Sequence, residues 1–235
     1  MGIFSSKKDK ELERRAAAAA QTEDPGLLDK AAHSLADRLL KVGIDGVGPV
    51  KGAQKVAEQA LVAAKGDVEK AEKAIAKDHF RKIAGGGFAT GLGGLITLPV
   101  ALPANVLEFY LLSTRAIAAI AHLRGHDVQQ PELRSVILLT LVGADARDIL
   151  TSAGIPATLV SGGRLASLAS RQLPAPALMV INKAVGFRIL AQTGEKVLTR
   201  LGKAIPLAGG FIGAALDVYL FNRILDHARE ELPRV

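Results

Sequence analysis

The chain has 235 residues, enough to bury a substantial core, and 49% of them are hydrophobic although aromatics make up only 4% and tryptophan is absent. It has no cysteine, which excludes disulfides, thiolate metal sites, iron–sulfur clusters and a cysteine nucleophile, so a metal site would have to draw on five histidines and the carboxylates. The formal charge is +7, and a mean hydropathy of +0.25 is high for a freely soluble protein and low for one made mostly of membrane spans.

Residues 1–25 are charged, then alanine-rich, and close on "TEDPG"; they read as an N-terminal arm, helical in part, ahead of a single folded unit over 26–235. The start lacks the order of basic region, apolar core and cleavage site of a secretory signal, which places the protein in the cytoplasm or on the inner face of its membrane. It matches the Met-Gly-x-x-x-Ser pattern of N-myristoylation through Gly2 and Ser6, but the pattern is short and an ordinary amphipathic start is the plainer reading.

Leu27, Leu28, Ala31, Ala32, Leu35, Leu39 and Leu40 recur at helical spacing with polar residues between them, predicting an amphipathic helix that "GIDGVGP" ends. Val50 to Ala64 repeats the pattern. Asp67 then caps a third, strongly charged helix running to about Lys82, with Glu69 in its first turn, where a carboxylate suits the helix dipole.

The character changes at "IAGGGFATGLGGLITLPVALPANVL", Ile83 to Leu107, which holds 25 residues with no formal charge, six glycines and two prolines. Gly87 and Gly91 form a GxxxG step suited to close helix contact, while Pro99 and Pro103 interrupt any helix, so an apolar helical hairpin is expected rather than one straight span. Its second arm, about Ala104 to Arg124, carries Asn105, Glu108, Arg115 and His122 in one narrow sector and apolar residues over the rest. Such a stripe must turn toward protein or a cavity if hydrophobic material surrounds the helix.

His122 and His126 in "HLRGHD" are spaced like metal ligands, yet Gly125 reads as the residue just past a helix end and no third histidine stands nearby, so no metal is expected. A further helix starts at Pro131 and holds "SVILLTLVGA" before "DARDIL". There Asp145 and Asp148 share a face and fit ion pairs with Arg147, Lys183 or Arg188 better than an acid–base pair. "LMVINKAVGFRILAQTGEKVLTRLG" predicts a basic amphipathic helix and a shorter follower. The last element, from near Pro206, reads as one long helix with Gly210, Gly213, Asp217 and Ile224 on one face. No alternating run is persuasive as a strand, so the expected fold is all-α, a multi-helix bundle with a glycine-rich apolar helical hairpin.

Several blocks in order, "GVGPV", "GFATGLGGLITLPVALPANV", "IAAIAHLRGHD", "INKAVGFRIL" and "GEKVLTRLGKAIPLAGGFIGAALD", together spanning nearly all of Leu27 to Arg229, resemble the EcsC family, a widespread group of mainly bacterial proteins named after one encoded beside an ABC transporter. The resemblance implies a role at the cytoplasmic membrane and in secretion. It implies no catalytic residue, because the family has no agreed catalytic site.

The chemistry of the residues is sparse in enzyme signatures. No GxxxxGK[ST] occurs, "GLGGLI" lacks the last glycine of GxGxxG, and Ser113, Ser161 and Ser167 lie in no triad pattern, so neither a nucleotide cofactor nor a catalytic site is expected. Glu108, Arg115 and Asp217 are the candidate set, either a buried ion network fixing the hairpin against the last helix or the polar floor of an apolar pocket holding a ligand such as a lipid headgroup. Glu108 and Arg115 are about 10 Å apart along a helix axis, which makes Asp217 the expected partner of Arg115. Between residues 164 and 203 stand Arg164, Arg171, Lys183, Arg188, Lys196, Arg200 and Lys203 against the single acid Glu195, a basic field suited to anionic lipid. It is poor in aromatics, which argues against nucleic acid.

The expected function is therefore that of a membrane-associated, non-enzymatic protein binding lipid or another apolar ligand at the cytoplasmic membrane face. Two alternatives are an adaptor for an integral membrane protein, such as a transporter or a secretion component, and an enzyme acting on lipid through a carboxyl of raised pKa at Asp217 or Glu108.

Overall fold

The structure, a computed structural model, describes residues 25–85, 104–156, 164–201 and 209–235, and every regular element among them is helical. The all-α expectation therefore holds. Of the glycine-rich hairpin only Ile83–Gly85 and the stretch from Ala104 onward are described, so its bend and the GxxxG step lie outside the described residues, as does nearly all of the N-terminal arm.

Helix α1 (Pro25–Arg38) opens on a proline, whose missing N–H costs nothing in a first turn. It buries Ala31, Ala32, Leu35 and Ala36. Instead of stopping where the glycines begin, the chain widens into a π-helical segment, Leu39–Asp45, and ends at Gly46 with φ +79°. Gly43 passes within that segment because it lies against the next layer: a Cβ there would stand 2.9 Å from Thr114 Cβ, so only glycine admits the approach.

Helices α2 (Ala53–Ala63) and α3 (Val68–Gly85) are joined by a tight turn in which Lys65 and Gly66 both take positive φ, +53° and +84°. The Gly66 N–H donates to the Leu61 carbonyl at 2.9 Å, closing the helix end. Asp67 Oδ1 accepts from the Lys70 N–H at 3.0 Å, the cap its sequence position predicts.

Helix α4 (Ala104–Leu123) is the axis of the fold, with α2, α3, the π segment, α5 (Pro131–Val142) and α8 (Gly209–Glu231) packed around it. Every residue from Leu107 to Ala121 is buried. Its stretch Val106–Leu123, with mean hydropathy 1.4, is the one helix among the described residues long and apolar enough to cross a membrane, and 83% of it is enclosed by protein. Length and composition alone do not distinguish a span from a core helix; enclosure on all sides is what a core helix has.

Beyond α5 the chain forms a 3₁₀ turn (Gly143–Asp145), the short α6 (Ala146–Ser152), a second 3₁₀ turn (Leu165–Leu168) and then α7 (Ala175–Leu201). The sequence reading split this last region into two helices. It is one, because an interior glycine such as Gly194 costs a helix only about 1 kcal/mol relative to alanine and is no stop by itself. Helices α1 and α7 form the most extensive helix pair. Gly186 sets their spacing: a Cβ at that position would run into the Ala32 carbonyl oxygen and lie 2.7 Å from its carbon.

Candidate functional site

The polar stripe of α4 is turned inward, as its position on an otherwise apolar helix requires: Glu108 is 5% exposed and Arg115 is 3% exposed. Arg115 Nη2 donates to the Val42 carbonyl at 2.7 Å. That carbonyl belongs to the π segment, where hydrogen-bond pairing shifts from the α-helical pattern, so the guanidinium and the irregular helix meet at one point. One residue away, Thr114 turns its Oγ1 back to the Tyr110 carbonyl at 2.7 Å, leaving its methyl and Cβ to meet Gly43. At the far end of the segment, Arg134 grips Asp45 with two bonds of 2.7 Å. Two arginines from two core helices thus hold seven residues of π-helix in place.

Burial pushes the Arg115 guanidinium down to about 10, which still leaves it cationic at neutral pH. His79, on α3, is fully buried and donates Nδ1–H to the Ile75 carbonyl at 2.9 Å. Burial lowers its pKa to about 4, with the positive charges of Lys82 and Arg115 acting in the same direction, so its imidazole is neutral and presents Nε2 as an acceptor. A fixed cation and a neutral imidazole can orient a polar group. Neither is a nucleophile or a base poised near neutral pH.

Asp217 lies half-buried on α8, which packs against α4. The geometry of Arg115 is thus fixed on one side by Val42, and its pairing with Asp217 stands as a proposal for a double-mutant cycle. The basic residues divide. Arg164 is exposed and Arg171 half-buried, Lys183 pairs with Asp29 across the α1–α7 contact, and Arg188 makes bonds of 2.6 and 2.7 Å to Asp145, where Gln192 adds a third at 3.1 Å. Lys196 and Arg200 fall on α7 with side chains outside the description, and Lys203 lies outside the described residues. The expected ion-pair role of Asp145 is met by Arg188, while Asp148 sits exposed on α6.

The "HLRGHD" stretch is a helix terminus. Gly125 takes φ +92°, its N–H donates to the His122 carbonyl at 3.0 Å, and the His126 N–H reaches the Ala121 carbonyl at 3.1 Å, the paired bonds of a Schellman end. The ring of His126 bonds through Nε2 to the Pro233 carbonyl at 2.7 Å. No group of three His, Asp or Glu side chains among the described residues is placed to hold a metal.

Sequence reasoning overlooked the most complete polar network in the molecule. Arg124 Nε and Nη2 bind the two oxygens of Glu72 at 2.8 and 3.0 Å, and Nη1 reaches the carbonyls of Arg229 and Leu232 at 2.8 and 2.9 Å. Glu72 is 6% exposed, so this is a desolvated bidentate pair joining α3, the end of α4 and the end of α8. The signal was available: Ala71, Ile75 and His79 follow at four-residue steps on α3 and are all buried, which turns their neighbour Glu72 inward too. No protein family, curated protein or solved structure compared with the chain matches it, so the likeness to the EcsC family rests on the sequence blocks that carry it.

Proposed function

We propose that the protein is a non-enzymatic, membrane-associated protein that binds lipid or another apolar ligand at the cytoplasmic face of the membrane. The observation that supports this reading best is a division of labour along the chain. The one span-length apolar helix among the described residues is consumed by the core, while residues 164–192 carry Arg164, Arg171, Lys183 and Arg188 without a single Asp or Glu. Attachment then falls to the surface, where each basic residue near an anionic bilayer adds about 1 kcal/mol.

Asp29 and Asp145 offset much of the charge of Lys183 and Arg188, so the attraction to an anionic surface rests mainly on Arg164 and Arg171 and on Lys196, Arg200 and Lys203 further along the sequence. A docking held by charge alone would vanish in high salt; one with inserted apolar side chains weakens and persists. Co-sedimentation with neutral and anionic vesicles over a salt series tests the reading. Partition onto anionic vesicles that falls with salt to a nonzero floor is expected, and no partition onto either vesicle at low salt would refute it. Mass spectrometry of the purified protein for a retained native lipid tests the ligand half of the proposal.

A further inference from the structure

Helix α3 buries one side and leaves the other charged. Ala71, Glu72, Ile75 and His79 face the core. The opposite side carries Lys70, Lys73, Lys77 and Arg81, all exposed, within about 80° of the circumference and over a length of roughly 16 Å. No acid falls inside that sector. The acids that cap or belong to the helix are each engaged: Asp67 with Lys70 at 2.9 Å, Glu69 with Arg234 at 3.9 Å, Glu72 with Arg124 at 2.8 Å and Asp78 with Lys82 at 2.6 Å. Lys73, Lys77 and Arg81 therefore pair with no carboxylate among the described residues. They stand at successive four-residue steps, where like charges repel and weaken a helix, so the stability of α3 does not explain the row.

We infer that this ridge of α3 docks on an anionic phospholipid bilayer, with Lys73, Lys77 and Arg81 against the headgroup phosphates; the inference rests on the membrane reading above and adds a second face to the basic segment named there. Two observations select the occupant. Lys183 and Arg188 are offset by Asp29 and Asp145, whereas the three cations of the ridge have no internal counterion, so an anionic surface neutralises them without breaking a pair. The sequence that leaves the ridge supplies the other. After Lys82 no charged residue occurs until Glu108, so the cations end where an apolar stretch begins, the order that sets basic residues at a headgroup layer. Nucleic acid is the poorer fit, since Phe80 is the only Phe, Tyr or Trp on α3 and bases would find no row of rings to stack on.

Co-sedimentation with phosphatidylglycerol vesicles at low salt compares the parent chain with variants matched in charge. Lys73→Gln, Lys77→Gln, Arg81→Gln neutralises the ridge, and Lys30→Gln, Lys41→Gln, Arg147→Gln removes the same charge from exposed positions on α1, the π segment and α6. Each cation near an anionic surface is worth about fivefold, so the ridge variant should partition about tenfold or more weakly while the control stays within about twofold of the parent. Lys73→Arg, Lys77→Arg, Arg81→Lys keeps the charge and should bind as the parent does. If the parent sediments with vesicles and the ridge variant binds unchanged, or the control loses as much, the ridge is wrong and the membrane reading stands. A charge-keeping variant as weak as the neutral one overturns the ridge as well, because charge is then not the cause. A parent chain that ignores the vesicles overturns both. Tighter binding of the parent to a single-stranded oligonucleotide than to the vesicles, abolished by the same neutral variant, overturns the proposal in favour of nucleic acid.

Discussion

Gly186→Ala pits two well-understood effects against each other. On propensity alone the change should stabilise α7 by about 1 kcal/mol, since alanine is the best helix former and glycine among the worst. The structure demands the opposite. The added Cβ would stand 2.7 Å from the Ala32 carbonyl carbon and 3.0 Å from its Cα, and all three nearest atoms are backbone that no rotamer change can clear. Ordinary carbon contact begins near 3.5 Å, so α1 and α7 must part by roughly 1 Å, and a gap of that size forfeits a quarter to a half of each dispersion contact along the most extensive helix pair in the fold. Overpacking of this kind costs about 1–3 kcal/mol, which leaves a net loss of about 2 kcal/mol once propensity is set against the upper part of that range. For a chain of this size that lowers the thermal midpoint by roughly 4–8 °C. Urea unfolding followed by far-ultraviolet circular dichroism checks it: the midpoint should fall with the slope unchanged. A variant as stable as the parent, or more so, would show that the helices do not approach at this point and would remove the stated reason for the glycine.

Four further outcomes follow from the same contacts. His79 has its pKa lowered to about 4 from an ordinary 6.5, so the unfolded chain binds the extra proton first; its contribution is complete above pH 6.5 and is lost toward pH 4, roughly 3 kcal/mol in all, and His79→Gln should flatten that part of a stability profile measured by urea unfolding between pH 4 and 7.5. Arg124→Ala leaves Glu72 buried without its bidentate partner and should cost about 3–5 kcal/mol, with Arg124→Lys recovering little, because an ammonium cannot span both oxygens and both C-terminal carbonyls; thermal unfolding reads both. Lys65→Gly relieves a left-handed backbone at φ +53° and should raise stability by up to about 1 kcal/mol, whereas no change in midpoint would mean the turn has relaxed elsewhere. Arg115→Ala and Asp217→Ala should be non-additive by about 1 kcal/mol or more in a double-mutant cycle, and additive losses would dissolve the proposed pair.

The helices were legible where periodicity was strong. Asp67 as a cap, Pro131 as a start and Gly125 as a stop each act through chemistry confined to one or two turns, and each is where the sequence placed it. The π segment was not legible, because its causes lie outside itself: Thr114 and Arg115 are about seventy residues distant, and nothing in "LLKVGID" announces that a second helix will seat a methyl against Gly43 and a guanidinium on Val42. The same distance hid the partnership of Glu72 with Arg124. The two helices expected over "LMVINKAVGFRILAQTGEKVLTRLG" give way to the single α7, within which a glycine weakens a helix without ending it. Of the candidate site, the inward turn of Glu108 and Arg115 was visible on a helical wheel. The Val42 carbonyl that receives Arg115 was not, because a backbone acceptor leaves no mark in side-chain pattern.

The enclosure of α4 has a consequence for the nascent chain. While the helices that surround it are still unmade, Val106–Leu123 is a segment that the insertion machinery of a membrane could accept as a span. Arg115 stands near its midpoint, where insertion scales charge roughly 2.5–3.5 kcal/mol for a cation, and Glu108 adds a second penalty nearer the end. The two side chains that burial makes awkward in the finished protein therefore bias the unfinished one away from the lipid interior, so that the helix is released to find its own partners.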